Sequence, residues 1–125
     1  MDENEIGERI LGCALEVHRA LGPGLLENAY EACLSFELAQ AGIEHKRQLP
    51  LPIIYNGNRI DLGYRLDLLV ADLVVVEVKA IDQLTDVHRA QLLSYLKLGG
   101  YKLGYLLNFN VKMFKDGIRR LASGL

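Results

Sequence analysis

The stretch Leu73-Val74-Val75-Val76-Glu77-Val78-Lys79-Ala80 decides the fold. A run of β-branched residues this short reads as a strand. It is apolar on both faces until Glu77, so it belongs in the middle of a sheet covered on both sides. Alternation puts Val74, Val76 and Val78 on one face and Val75, Glu77 and Lys79 on the other. Burying a charge is costly unless it is paired or bound to a metal. Glu77 and Lys79 therefore either pair in water where the strand emerges at a rim, or belong to a site.

Working outward, Arg59–Val70 alternates, with Ile60, Leu62, Tyr64, Leu66, Leu68 and Val70 facing one way and Asp61, Gly63, Arg65 and Asp67 the other. Ala71-Asp72 is a tight connection that lays this segment antiparallel to the valine strand and makes Asp67 and Glu77 neighbours. Before it, Leu49–Tyr55 reads as a strand at a sheet edge, because Pro50 and Pro52 cannot donate to a ladder. Asn56-Gly57 between the two is a hairpin signal. Downstream, Thr85 suits the N-cap of a helix over Asp86–Leu98, Gly99-Gly100 ends it, and Tyr101–Asn108 reads as a strand reached by a helical crossover, hence parallel. A short amphipathic segment over Lys112–Leu121 is expected to close the chain as a helix. Upstream, Ile6, Ile10, Cys13, Ala14, Val17 and Leu21 predict a helix over residues 4–20, and Leu26, Ala29, Tyr30, Cys33, Leu34 and Leu38 a second over 25–41. The order α-α-β-β-β-α-β-α predicts one α/β domain over residues 1–125, with a mixed sheet flanked by helices.

With 125 residues, 50% hydrophobic and 24% charged, the chain has the composition of a globular domain and not of a disordered one. No apolar run is long enough to span a bilayer, and the acidic start Met1-Asp2-Glu3-Asn4-Glu5 is unlike a secretory signal. A cytoplasmic, membrane-free protein is the expectation. Cys13 and Cys33 form neither a disulfide framework nor a zinc pattern and read as small apolar residues. Residues 1–40 carry eight acids and two bases; the remainder carries twelve bases and eight acids. The basic part suits an anionic partner, or is the mixed surface that solubility requires.

Two adjacent carboxylates repel, and a Mg²⁺ or Mn²⁺ ion between Asp67 and Glu77 would turn that repulsion into coordination by hard oxygen ligands. Lys79 would then reach whatever the metal holds. Glu27 is a third acid, at the rim of the second helix's apolar stripe; in a first helical turn it also complements the helix dipole. Gln91 and Tyr95, one turn apart on the third helix, would hydrogen-bond a phosphate or tie the helix to the sheet. His88 shares that face, and a lone His there reads as a structural group.

Gly24-Leu25-Leu26-Glu27-Asn28-Ala29-Tyr30 resembles the signature of the GxxExxY proteins, a branch of the PD-(D/E)xK nuclease superfamily. Glu16-Val17-His18-Arg19, Gly63-Tyr64-Arg65-Leu66-Asp67, Glu77-Val78-Lys79-Ala80, Gln91-Leu92-Leu93-Ser94-Tyr95 and Lys115-Asp116-Gly117-Ile118 extend the resemblance over nearly the whole chain in order. It implies a restriction-endonuclease-like α-β-β-β-α-β core with an extra N-terminal helix. It also implies roles: Glu27 as the helical acid, Asp67 as the strand acid, Glu77 and Lys79 as the (D/E)xK part, the Val78 carbonyl as a further metal ligand, and Gln91 and Tyr95 as the Q-x-x-x-Y pair. Leu66 stands where the superfamily's name has a proline.

The implied activity is Mg²⁺- or Mn²⁺-dependent hydrolysis of a phosphodiester in nucleic acid, DNA foremost. Two other readings remain open. The domain is a nucleic-acid-binding or protein-interaction module, with Lys97, Lys102, Lys112, Lys115, Arg119 and Arg120 on phosphates or simply in solvent. Or the acids form a structural ion-pair cluster with Arg65 and Lys79. A homodimer is one way for so short a chain to grip two strands, though no residue marks it.

Overall fold

A computed structural model describes residues 1–125. Helix α1 (Glu3–Leu21) starts at a capping box: Asp2 accepts from the Glu5 N–H (2.9 Å), and the Glu5 side chain accepts from the Asp2 N–H (3.3 Å). Its buried stripe is Ile6, Ile10, Ala14 and Val17, the expected face. Helix α2 (Glu27–Gln40) follows a loop in which Gly24 has φ +106, a conformation that favours glycine. The Tyr30 hydroxyl organises that loop, donating to the Gly22 carbonyl (2.6 Å) and accepting from the Leu25 N–H (3.1 Å), while its ring stacks on Phe109 at 4.7 Å. Gly24 and Tyr30 of the G-x-x-E-x-x-Y stretch thus shape the α1–α2 connection.

The strands are β1 (His45–Pro50), β2 (Ile53–Tyr55), β3 (Asn58–Ile60), β4 (Arg65–Val70) and β5 (Val74–Lys79), then α3 (Asp86–Gly99), β6 (Leu103–Asn108), a 3₁₀ turn (Phe114–Gly117) and β7 (Ile118–Ala122). Five strands form one sheet in the order β1-β4-β5-β6-β7, antiparallel except for the parallel β5–β6 pair. The core α2-β1-β4-β5-α3-β6 is the restriction-endonuclease-like α-β-β-β-α-β order, with α1 added in front. The valine strand β5 is central and β6 returns parallel after α3, as expected from the sequence; one edge is β1, which shares only Leu49 and Pro50 with the edge strand expected over Leu49–Tyr55.

Two expectations are corrected. The hairpin at Asn56-Gly57 exists, with φ +49 and +77, but β2 and β3 pair only with each other as a separate ribbon. The sheet strands lie outside it, so neither Leu49–Tyr55 nor Arg59–Val70 is one continuous strand. The end of the chain is not a helix over Lys112–Leu121. It is the 3₁₀ turn followed by edge strand β7. There Gly117 lies so close to the Asn108 carbonyl that a Cβ would meet the oxygen at 2.0 Å, which makes glycine obligatory in Lys115-Asp116-Gly117-Ile118.

The sheet is buried on both faces. One face, with Leu68, Val70, Val74, Val76 and Val78, packs against α1 and α2 in a cluster of 18 buried residues. The other, with Leu69, Val75 and Leu106, packs against Leu92, Tyr95 and Leu96 of α3 in a cluster of 9. Gly104 lets α3 approach closely, since a Cβ there would sit 3.0 Å from Leu96 and 3.1 Å from Leu92. Both sheet edges carry charges at successive positions, Lys46-Arg47 on β1 and Arg119-Arg120 on β7. No helix is long and apolar enough to cross a membrane. Cys13 and Cys33 are free and half-buried.

Candidate active site

The site forms where β4 and β5 part. Their ladder runs Val70↔Val74, Leu69↔Val75 and Leu68↔Val76 and stops there. At the next position the carboxylates replace the ladder. The Asp67 N–H donates to Glu77 Oε2 (2.8 Å), and the Val78 N–H donates to Asp67 Oδ2 (2.8 Å). The two acids expected to be neighbours are thus interlocked through each other's backbone. Strand β4 also loses its alternation here: Leu66 packs with Leu69 on the α3 side, not with Leu68 and Val70. Across β1, Gln48 adopts φ +50, uncommon for a residue with a side chain.

The electrostatics follow from burial. Glu77 is only 5% exposed, and its carboxyl is pushed up to about 8, first by desolvation and then by the Asp67 charge; the Asp67 N–H and Lys79 act the other way. Asp67 is raised too, mainly by desolvation, with the Val78 hydrogen bond opposing it and Glu31 adding to it. Glu77 Oε1 receives no hydrogen bond from the protein. Lys79 is half-buried beside the pair, with no hydrogen bond or ion pair from its ammonium group. The backbone around it is fixed, because its carbonyl accepts from the Phe109 N–H (2.9 Å).

From α3, Gln91 Nε2 donates to the Tyr95 hydroxyl (3.1 Å), and burial together with the Glu77 charge raises the Tyr95 phenol. His88 is structural: its Nδ1 accepts from the Thr85 N–H (3.0 Å) at the start of α3. The structure does not bring Glu27 into the cluster. Glu27 is the first, solvent-exposed residue of α2, and Glu31 one turn on is the buried acid. Arg47 holds Glu31 Oε2 through Nε (3.1 Å) and Nη2 (3.0 Å). Gln48 Nε2 bridges Glu31 Oε1 (2.8 Å) and Asp67 Oδ1 (3.3 Å). Arg65, set against the acids in one sequence reading, instead donates to the Gln48 carbonyl (3.4 Å).

Sequence reasoning missed Glu31, Arg47, Gln48 and Asn108. For Glu31 there was a signal: Leu34 and Leu38 follow it at i+3 and i+7, so it lies on the inward stripe. Asn108 faces Lys79 across the parallel pair and clamps the loop after β5, accepting from Ile81 N–H (3.1 Å) and donating to the Ile81 carbonyl (2.9 Å). A surface depression of about 540 Å³ among residues such as Gly42, Glu44, His45 and Asp72 lies at the opposite, turn end of the β4–β5 pair. It contains none of the site's acids.

Two strand carboxylates interlock here, with a lysine two residues after the second, on a parted pair within a mixed sheet. Residues 4–121 match the family model of the PD-(D/E)XK nuclease superfamily, and the chain belongs to that superfamily. No curated protein and no solved structure matches the chain. The superfamily's chemistry calls for a divalent metal, and the Asp67–Glu77 pair suits one. It offers hard oxygen donors whose desolvation and mutual repulsion a cation would relieve. The set is lean: no group of three or more His, Cys, Asp and Glu side chains converges on one point.

Proposed function

We propose that this chain is a Mg²⁺- or Mn²⁺-dependent nuclease of the GxxExxY branch, hydrolysing phosphodiester bonds in nucleic acid and DNA foremost, with residues 1–125 acting as one domain. The observation that carries the reading is the Asp67–Glu77 carboxylate pair with the unpartnered Lys79 beside it. Asp67, Glu77 and the Val78 carbonyl would hold the cation, and Glu27, one turn outward of Glu31 on α2, is the acid the signature assigns to it. A bound divalent cation lowers the pKa of a water and offsets charge developing on the phosphate. Lys79, a compact charge free of partners, orients the attacking water or stabilises charge on the non-bridging oxygens. Gln91 and Tyr95 align the phosphate or hold α3 against the site. A cytoplasmic setting, where Mg²⁺ and nucleic acid meet, goes with this reading, as does a homodimer if the substrate is a duplex.

The test is incubation with labelled DNA and RNA substrates and Mg²⁺ or Mn²⁺, beside a Lys79→Ala control. Cutting by the parent and not by the variant supports the proposal. Equal cutting by both ends it.

One observation favours a second reading. Glu31 is tied off by Arg47 and Gln48, and only two acids face each other. A non-catalytic nucleic-acid-binding module that keeps the nuclease fold would have such a set. Calorimetric titration with Mg²⁺ or Mn²⁺ separates the two, because a binding module shows no metal site that disappears in Asp67→Asn.

A further inference from the structure

We infer that the β2–β3 ribbon is a grip for unpaired nucleotides, so that the substrate class is single-stranded nucleic acid; this rests on the nuclease reading above. The ribbon belongs to neither core cluster, and its outer segment is exposed throughout. The ribbon and the segment 61–64 that joins it to β4 nevertheless carry large apolar and aromatic groups: Tyr55 is 62% exposed, Ile54 60%, Leu62 58% and Tyr64 41%. None of the four belongs to a core cluster. The stretch from Lys46 to Arg65 holds four bases and one acid, but Lys46 is paired with Asp72 (3.1 Å) and Arg47 with Glu31 (3.0 Å), so the cation it offers a partner is Arg65, which suits an anionic group. The one acid, Asp61, is already paired with Arg59 (3.2 Å), and Arg65 has no carboxylate partner.

The ribbon is also continuous with the candidate site. The Tyr64 ring lies 6.0 Å from the Tyr95 ring of α3, and Tyr95 senses the charges of Glu77 and Asp67. A strand whose base rests on Tyr64 would lead its phosphates toward Lys79. Duplex grooves present polar base edges between phosphates, which does not suit tyrosine faces and isoleucines. Unstacked bases present π-faces that do, while Arg65 holds the backbone.

The experiment is equilibrium binding in EDTA, followed by fluorescence anisotropy, of labelled oligothymidine and of a duplex of the same length. The wild type is expected to bind the single strand more tightly. Tyr55→Ala and Tyr64→Ala should each weaken that binding about five- to a hundredfold, while Tyr64→Phe, which keeps the ring, restores it. The proposal is overturned if both alanine variants bind as tightly as the parent, or if the duplex is preferred. It is also overturned if sedimentation shows a dimer that Tyr55→Ala dissolves without affecting oligonucleotide binding. Lys79→Ala separates the two readings. Lysine-dependent cleavage with tyrosine-independent binding removes the grip and keeps the nuclease. Tyrosine-dependent binding without cleavage in Mg²⁺ or Mn²⁺ keeps the grip and removes the nuclease.

Discussion

The two ends of the β4–β5 pair are built from the same strands to opposite purposes. At the turn end, Ala71 and Asp72 both take positive φ (+54 and +56), the Leu73 N–H donates to the Val70 carbonyl (3.0 Å), and Val70, Leu69, Val74 and Val75 are buried in a regular ladder. At the open end, two residues from Leu69, backbone donors go to carboxylates and the buried groups are acids. The closed end supplies stability, and the open end holds acidic groups that water would otherwise solvate. A sheet can carry the second because the first is so regular.

The contrast breaks if variants at the two ends fail to separate activity from stability. The largest effect is expected at the open end. Asp67→Asn and Lys79→Ala should each lower cleavage by at least about 10²–10³-fold, read as initial rates, with melting temperatures near the parent's. Asparagine still accepts the Val78 N–H, so the interlock survives. At the closed end, Leu69→Ala should cost about 2–5 kcal/mol in a urea titration, through the cavity it leaves against Val75 and α3.

A third test uses pH. The Glu77 carboxyl is raised to about 8, so the folded protein holds a proton that the unfolded chain releases in the usual carboxyl range. Its contribution is fully present at low pH and is lost as pH rises through about 8. Metal-free wild type should therefore lose stability over that interval, and Glu77→Gln should flatten the loss. Urea midpoints measured across the range decide it, and saturating Mg²⁺ should restore stability at the alkaline end by mass action. The smallest effect is expected away from both ends: Tyr30→Phe should cost about 1 kcal/mol in thermal unfolding, from hydrogen bonds that order the α1–α2 loop.

What was legible in the sequence was what period and punctuation dictate. The Val74–Val76 run, the Ala71-Asp72 turn and the α3 crossover fixed the sheet's centre and brought Asp67 beside Glu77. The edges were illegible for a physical reason. Strand β1 begins His45-Lys46-Arg47-Gln48 because an edge bordering solvent needs no apolar alternation, and those residues fall outside the strand expected over Leu49–Tyr55. Strand β7 buries only Leu121, which leaves Ile118 and Leu121 at a spacing that imitates a helix. The hairpin at Asn56-Gly57 was readable, but not that its strands leave the sheet. The signature pointed to Glu27, whereas the buried acid is Glu31, one turn on, visible only once its ridge with Leu34 and Leu38 is traced.

The charged rims of the sheet carry a consequence for how copies of this chain meet. Lys46-Arg47 closes one border and Arg119-Arg120 the other, so a foreign strand seeking to extend the ladder meets like charges and desolvation at either side. Growth into stacked fibrils by adding strands is thereby disfavoured even when the protein is concentrated.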